Sequence, residues 1–345
     1  MDFIMKKIIF ITGIVFAFYS CSMYGDQDDE ALELNPEAHK LGDLQKILDG
    51  YFVRAIAFDS KGNAWIGTFD EGIIRYNKKE TVWYHAANSA IPEGFTVFDM
   101  VVDRQDNVWI GGSDGLLKFD GDTFTRYDSQ NTAMPEDVVW SIAVDSRNNI
   151  WLASCRFRQG GLVKYDGSQW TTYTPDNSAL PDNSINSITI DQSDNVWMTV
   201  NDYVVKFSGN RWDTFDKDDL NLSNLIFSGI QFNSKNLLTG ITDHSFNNLA
   251  IQPPCELFSF DGKKTIFLTS VENVTSIPGQ TKITIDHNDD VWCYGGAKDI
   301  AVWRHDNNQL SVINNSEFGG SSVYVIKESP DNQLWFGTVN GIYIR

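Results

Sequence analysis

The residues with the chemistry to hold a metal, move a proton or grip a ligand form three groups in this chain of 345 residues. The first is a set of acidic stretches, "DRQDN" (Asp103 to Asn107), "DQSDN" (Asp191 to Asn195) and "DHNDD" (Asp286 to Asp290). Carboxylates at alternate positions suit calcium, but a calcium loop also needs a central glycine and a downstream bidentate Glu, and both are missing. These stretches read as turns, and neither a metal nor a cofactor is expected. The second group is the five histidines, His39, His85, His244, His287 and His305. Only His244 is expected in a long variable loop, with Asp243 or Glu71 as the acid that a lyase-type pair would need. No HxxxH, G-x-S-x-G or sialidase-type box accompanies them. The third group is Arg54, Phe98, Trp140, Asn186 and Tyr324, with Ser228 and Thr281 in the same pattern. Flat apolar faces beside hydrogen-bond donors suit a sugar or another small polar ligand, although the aromatics could equally plug a channel and touch one another.

What positions these residues is a repeat. "IAFDSKGNAWIGTFDEGIIRYN", "MVVDRQDNVWIGGSDGLLKFDG", "IAVDSRNNIWLASCRFRQGGLVKYDG", "ITIDQSDNVWMTVNDYVVKFSG" and "ITIDHNDDVWCYGGAKDIAVWRHD" are five copies of one sentence. Their tryptophans, Trp65, Trp109, Trp151, Trp197 and Trp292, each follow an Asp (Asp59, Asp103, Asp145, Asp191, Asp286) by six positions. A sixth copy keeps Trp335 but has Ser329 for the Asp. A seventh, degenerate copy has Asn233 and Leu238 in the two roles, one residue closer together. The period is roughly 43 residues, and each unit reads as four short strands between Asp/Asn/Gly turns. The expected fold is all-β: a seven-bladed β-propeller of four-stranded antiparallel blades filling residues 41–345. The last copy has only three strands, so "LGDLQKILDG" (Leu41 to Gly50) is expected to supply the fourth and close the ring, removing an exposed edge. Truncation at residue 50 should then destabilise the seventh blade.

The pattern resembles the two-component regulator propeller repeat, I-x-x-D-x-x-G-N-x-W-I-G-T…G-L-x-R-Y. It is carried here by Ile56, Asp59, Asn63, Trp65, Ile66, Gly67, Thr68, Gly72 and Tyr76. The resemblance implies a relation to the extracytoplasmic sensor halves of hybrid two-component systems of gut Bacteroidetes, which respond to polysaccharide fragments. Those sensors usually carry two propellers, a β-sandwich, a membrane helix and a kinase. This sequence holds one ring, and a stand-alone lipoprotein is the expectation.

Within the repeat, copies that agree describe scaffold and copies that differ describe function. The third residue before each anchor is Ile56, Met100, Ile142, Ile188, Ile230, Ile283 or Ile326, a core layer. Two positions further back stand the third-group residues, expected on the same side of each strand and around the channel mouth. The connections between strands two and three are short in most copies. They are expected to grow into loops at "CRFRQGG", which brings Arg156, Phe157 and Arg158, and across Ile241 to Glu256.

The start of the chain, Lys6 and Lys7, an apolar run from Ile8 to Tyr19 and then Ser20-Cys21, reads as a signal peptide over 1–20. Its end resembles a lipobox, which implies an outer membrane lipoprotein anchored at Cys21 and facing the periplasm or the surface; plain secretion is the alternative. Residues 21–40 are acidic and poor in core formers, and read as a tether or as a surface-export signal. A net charge of −19 argues against nucleic acid and against anionic lipid, leaving the lipid anchor as the only membrane contact. Cys155, Cys255 and Cys293 read as buried hydrophobes, with one disulfide open among them. Three functions fit: a binding module for an oligosaccharide or other small molecule, a protein-interaction platform at the cell envelope, and a lyase or hydrolase with an unrecognised site.

Overall fold

The computed structural model describes residues 40–156, 159–223, 226–243, 255–271, 281–295, 300–306 and 309–345. They form seven sheets of four antiparallel strands, paired in chain order within each blade. Blade one runs from Val53–Phe58 to Thr81–Tyr84, blade two from Val97–Val102 to Phe124–Tyr127, and blade three from Val139–Val144 to Trp170–Tyr173. Blade four spans Ile185–Ile190 to Trp212–Phe215, blade five Ile226–Phe232 to Thr265–Val271, and blade six Lys282–Ile285 to Gln309–Asn314. Blade seven takes three strands from the end of the chain and its outermost strand, Gln45–Ile47, from the beginning, paired Gln45↔Ile344 and Ile47↔Ile342. The ring therefore closes by the strand exchange that the missing fourth strand predicts.

Hydrophobic clusters fill each interface between neighbouring blades. Trp65 packs with Val97 and Met100 of the next blade, Trp109 with Val139 and Ile142, and Trp335 with Val53 and Ile56 across the closing seam. The core layer is buried in all seven blades, from Ile326 at 1% exposed to Ile283 at 8%. The glycine that follows Trp-Ile has a packing reason. A Cβ on Gly67 would lie 2.4 Å from Val97 Cγ1, and one on Gly111 would lie 2.7 Å from Val139 Cγ1. At these two interfaces the innermost strand of the following blade approaches that close, and only glycine admits it there; blades three, four and six have Ala153, Thr199 and Tyr294 at the same position.

The Asp-to-Trp spacing has an equally local cause. Each anchor carboxylate accepts the backbone N–H groups two and four residues on, shown by Gln105 at 2.9 Å and Asn107 at 2.9 Å for Asp103. Its second oxygen takes the indole N–H of the repeat tryptophan, 2.8 Å from Trp109 and 3.0 Å from Trp65 and Trp197. The acidic stretches are thus turns whose oxygens are already occupied by donors. The next turn residue stands in the left-handed region, Asp106 at φ 62 and Asn148 at φ 66, which Asp and Asn tolerate best among non-glycines. These side chains also tie one blade to the next: Asp106 accepts from Ser60 N at 3.0 Å, Asn148 from Arg104 N at 3.0 Å and Asp194 from Ser146 N at 2.8 Å.

Two blades depart from the pattern. In blade five the register Phe232↔Leu238 and Gln231↔Thr239 puts Thr239, not Leu238, at the position held by tryptophan elsewhere, as Val101↔Trp109 shows. The spacing is therefore conserved at six and the residue type is not. The physical reason is the anchor: Asn233 offers one acceptor oxygen, already shared by Lys235 N and Leu237 N at 3.0 Å, and has none left for an indole. Thr239 instead meets Ser259 Oγ at 3.1 Å. In blade seven Ser329 cannot reach, and the buried Trp335 Nε1 has no hydrogen-bond partner.

The third-blade loop expected at "CRFRQGG" is mostly strand. Ile150–Arg156 and Gln159–Tyr165 pair through Cys155↔Gly160 to Arg156↔Gln159. Gly160 and Gly161 permit this at φ 140 and 154, where a Cβ on Gly160 would lie 2.0 Å from Ser154 O. Phe157 and Arg158 lie outside the described residues. The fifth-blade loop shortens similarly, because Leu238–Asp243 and Cys255–Phe260 extend into it. Its middle, with His244, lies outside the described residues, as do the leader, Cys21 and the tether. Cys155, Cys255 and Cys293 are buried thiols, and burial pushes Cys293 up to about 12. Among the described residues no helix is long and apolar enough to cross a membrane.

Candidate functional site

The connection between strands two and three and the segment entering the innermost strand share one face of the ring. Ser113 N donates to Thr96 O at 3.0 Å in blade two, and Cys155 N to Val138 O at 3.0 Å in blade three. On this face six innermost strands contain a β-bulge, marked by register shifts between Val53 and Ala55, Val97 and Asp99, Val139 and Ser141, Ile185 and Ser187, Phe227 and Ile230, and Val323 and Val325. The residues inside the single-residue bulges are Arg54, Phe98, Trp140, Asn186 and Tyr324. Simple alternation, which placed them on the same side as the core layer, does not hold, because the extra residue breaks the period of two. The bulge is what turns these side chains out of the ladder.

Four of the five form one continuous run across blades seven, one, two and three. The Arg54 guanidinium lies 5.6 Å from the Tyr324 ring centroid, 5.6 Å from that of Phe98 and 5.8 Å from that of Phe52. Phe52 in turn stacks on Phe69 at 5.2 Å and meets Tyr324 edge-on at 4.8 Å. Phe98 stacks on Trp140 with centroids 4.3 Å apart and an interplanar angle of 21°. Trp140 donates its indole N–H to Cys155 O at 2.9 Å and keeps 36% of its surface exposed. The aromatics thus do touch one another, and Trp140 still offers a face. Asn186 spends its amide on Phe227 O at 3.3 Å. Ser228 and Thr281 are buried.

One residue along from this ring the channel wall holds two groups that alternation did not single out, Asp99 and Lys282. Asp99 accepts Met100 N and, from the next blade, Ile142 N, both at 2.8 Å. Lys282 reaches across from blade six until its Nζ is 3.5 Å from Phe98 O. By surface area Asp99 is half-buried and Lys282 is exposed. Burial raises the Asp99 carboxyl above its ordinary value against the pull of Lys282, and burial lowers the Lys282 ammonium against the pull of Asp99. Their signal in the sequence was a charged residue at an inner-strand position that holds Ala55, Ser141, Ser187, Gly229 or Val325 in the other blades.

The histidines do not assemble a catalytic pair among the described residues. His287 is paired with Glu328 on the opposite face, and His305 is buried. His85, not expected on the variable face, belongs there: its ring lies 4.8 Å from that of Trp83, whose indole N–H donates to the Glu71 carbonyl in the strand-two-to-three turn. Among the described residues no cluster of His, Cys, Asp or Glu could hold a metal.

Residues 47–70 and 133–156 match the family model described as "Two component regulator propeller". Two stretches of the chain thus match the two-component regulator propeller repeat. No curated protein matches it by sequence. Among solved structures, the extracellular domain of a putative one component system from B. thetaiotaomicron is 18% identical with a TM-score of 0.68, over 88% of this chain and 40% of that one. The extracellular domain of a putative hybrid two component system from the same organism is 17% identical with a TM-score of 0.66, over 90% of this chain and 41% of that one. The chain thus spans about two fifths of those structures. A catalytically inactive virginiamycin B lyase from Staphylococcus aureus, with quinupristin, is 15% identical with a TM-score of 0.67, over 88% of this chain and 98% of that one. At these identities the likeness is one of fold, shared with extracellular domains and with a lyase alike.

Proposed function

We propose that the chain is an exported ligand-binding propeller, lipid-anchored at Cys21 to the outer membrane, that receives an oligosaccharide or other small polar ligand at the bulged mouth of its channel. The observation that carries this reading is the run Tyr324, Arg54, Phe98 and Trp140, fixed by mutual ring contacts yet ending in an exposed indole face. Rigid aromatics that keep an open face bind sugar rings at low entropic cost, and buried polar neighbours fix orientation. The extracellular domains that share the fold support the exported setting. The test is tryptophan fluorescence against a panel of oligosaccharides. Saturable quenching that Trp140→Ala removes is expected; no response from the parent to any glycan sinks the reading.

One observation favours a lyase as the second reading. Lys282 Nζ ends 3.5 Å from the carbonyl of Phe98, the residue before Asp99, so an amine and a carboxyl group, the two kinds of group that trade protons, stand at one mouth. Incubation with quinupristin followed by mass spectrometry decides it, since an unchanged product spectrum over many hours rules that substrate out.

A further inference from the structure

The side chain of Arg54 is held but not neutralised. Three rings, Phe52, Phe98 and Tyr324, surround its guanidinium, and among the described residues no carboxylate lies within ion-pair distance of it and no acceptor takes its side-chain N–H groups. An arginine stays protonated throughout the physiological range, so this is a permanent cation carrying five donors in a fixed fork. Burial works against its charge. Such a group persists in the middle of a protein only if water or a ligand in the channel satisfies it. The setting makes the contrast sharper, because the chain as a whole carries a net charge of −19.

Lys282 brings a second donor to the same place. Its Nζ ends 3.5 Å from the carbonyl of Phe98, the residue whose ring lies under Arg54. The two cations interact unfavourably with each other, an arrangement that a bound anion would relieve. The opposing carboxylate in the wall, Asp99, is committed to the backbone N–H groups of Met100 and Ile142, and it interacts electrostatically with Lys282 and Lys327.

We infer that Arg54, with Lys282 beside it, is the docking point for an oxyanion on the ligand, so that the molecule bound at this mouth is an acidic one, a uronate-bearing, sulfated or phosphorylated glycan. This rests on the ligand-binding reading above and deepens it. A planar carboxylate or a tetrahedral sulfate or phosphate can each take two parallel N–H bonds from the guanidinium, while the sugar ring attached to it lies against Trp140. Neutral sugars lack the group that would satisfy the fork, and the unpaired donors would then stay buried under the ligand.

The experiment uses matched pairs of oligosaccharides that differ only in the charged group: galacturonate against galactose oligomers, and sulfated and phosphorylated oligomers against their desulfated and dephosphorylated forms. The charged member of at least one pair should bind about tenfold or more tighter than its neutral twin, a difference of roughly 1.4 kcal/mol. Which pair shows it identifies the anion. Arg54→Met, which keeps an apolar stem among the rings, should remove that preference, and Arg54→Lys should restore it only in part, since an ammonium cannot make the bidentate contact. Thermal unfolding of both variants reports on folding separately. Equal binding of charged and neutral twins, with Trp140→Ala still abolishing both, overturns the inference and leaves ligand binding intact. Binding of neither twin in every pair overturns both.

Discussion

The two faces of this ring use the same residue types for opposite purposes. On the turn face Asp103 sits in a closed circuit: burial pushes its carboxyl up, but hydrogen bonds from Trp109, Asn107 and the backbone outweigh that, and it titrates below the ordinary carboxylate value. On the bulge face Asp99, four residues earlier in the same blade, has only two backbone donors and distant cations, and burial wins. Arginine and lysine divide likewise. Lys118 and Lys164 lie over the outward faces of Trp109 and Trp151 as part of the repeat. Arg54 lies among rings that belong to no repeat. Where every polar atom has a partner the face is a clamp; where donors are left over the face can bind.

That comparison can be broken, beginning with the largest effect. Asp103→Ala removes one acceptor group from Trp109, Asn107 and two backbone donors at once, and should cost about 3 kcal/mol in urea unfolding. Met100 N and Ile142 N bond to different oxygens of Asp99, so Asp99→Asn keeps an acceptor for only one of them and should cost about 1 kcal/mol, well short of the loss at Asp103. Equal losses at both sites would erase the distinction between clamp and site.

The pH dependence should run in opposite directions. For Asp103 and Asp191 the folded value lies below the ordinary 3.8, so their contribution is present above about pH 4 and is lost as pH falls through the folded values. For Asp99 the folded value lies above 3.8, so stability declines as pH rises from about 4 through that value. Stability measured from pH 3 to 7 should therefore lose part of its acid limb in Asp103→Asn. The same measurement on Asp99→Asn should lose the decline above pH 4 and keep the acid limb.

The smallest effect is a gain. Ser329→Asp gives Trp335 Nε1 the acceptor that five other blades possess, and should raise stability by about 0.5 kcal/mol. The increment is modest because Asp331, now bonded to Ser329 Oγ at 2.5 Å, would face a second carboxylate. A decrease would mean that the repulsion exceeds the new hydrogen bond.

Most of the clamp was legible in the sequence, because its interactions are local. The Asp, the Asn and the Trp of each copy lie within seven consecutive residues and satisfy one another inside a single turn and hairpin, so their spacing alone announces the turn. The same locality made the missing strand of the last copy visible. The site was legible only in part. The positions of Arg54, Phe98, Trp140, Asn186 and Tyr324 could be read off by counting back from the anchor, but the direction of their side chains could not. A bulge depends on how the neighbouring strand pairs, and it breaks the alternation on which counting relies.

By itself, then, the sequence determined the number of blades, their turns and the seam at which the ring closes, since repeated short-range hydrogen bonds carry that information many times over. The tertiary structure alone decided what meets at the mouth. Arg54, Phe98 and Lys282 come from blades one, two and six, and Lys282 lies 184 residues from the carbonyl it reaches. No local rule relates residues so far apart. Only closure of the ring brings the cations, the rings and the carboxylate to one channel, where shared walls set their charges against each other.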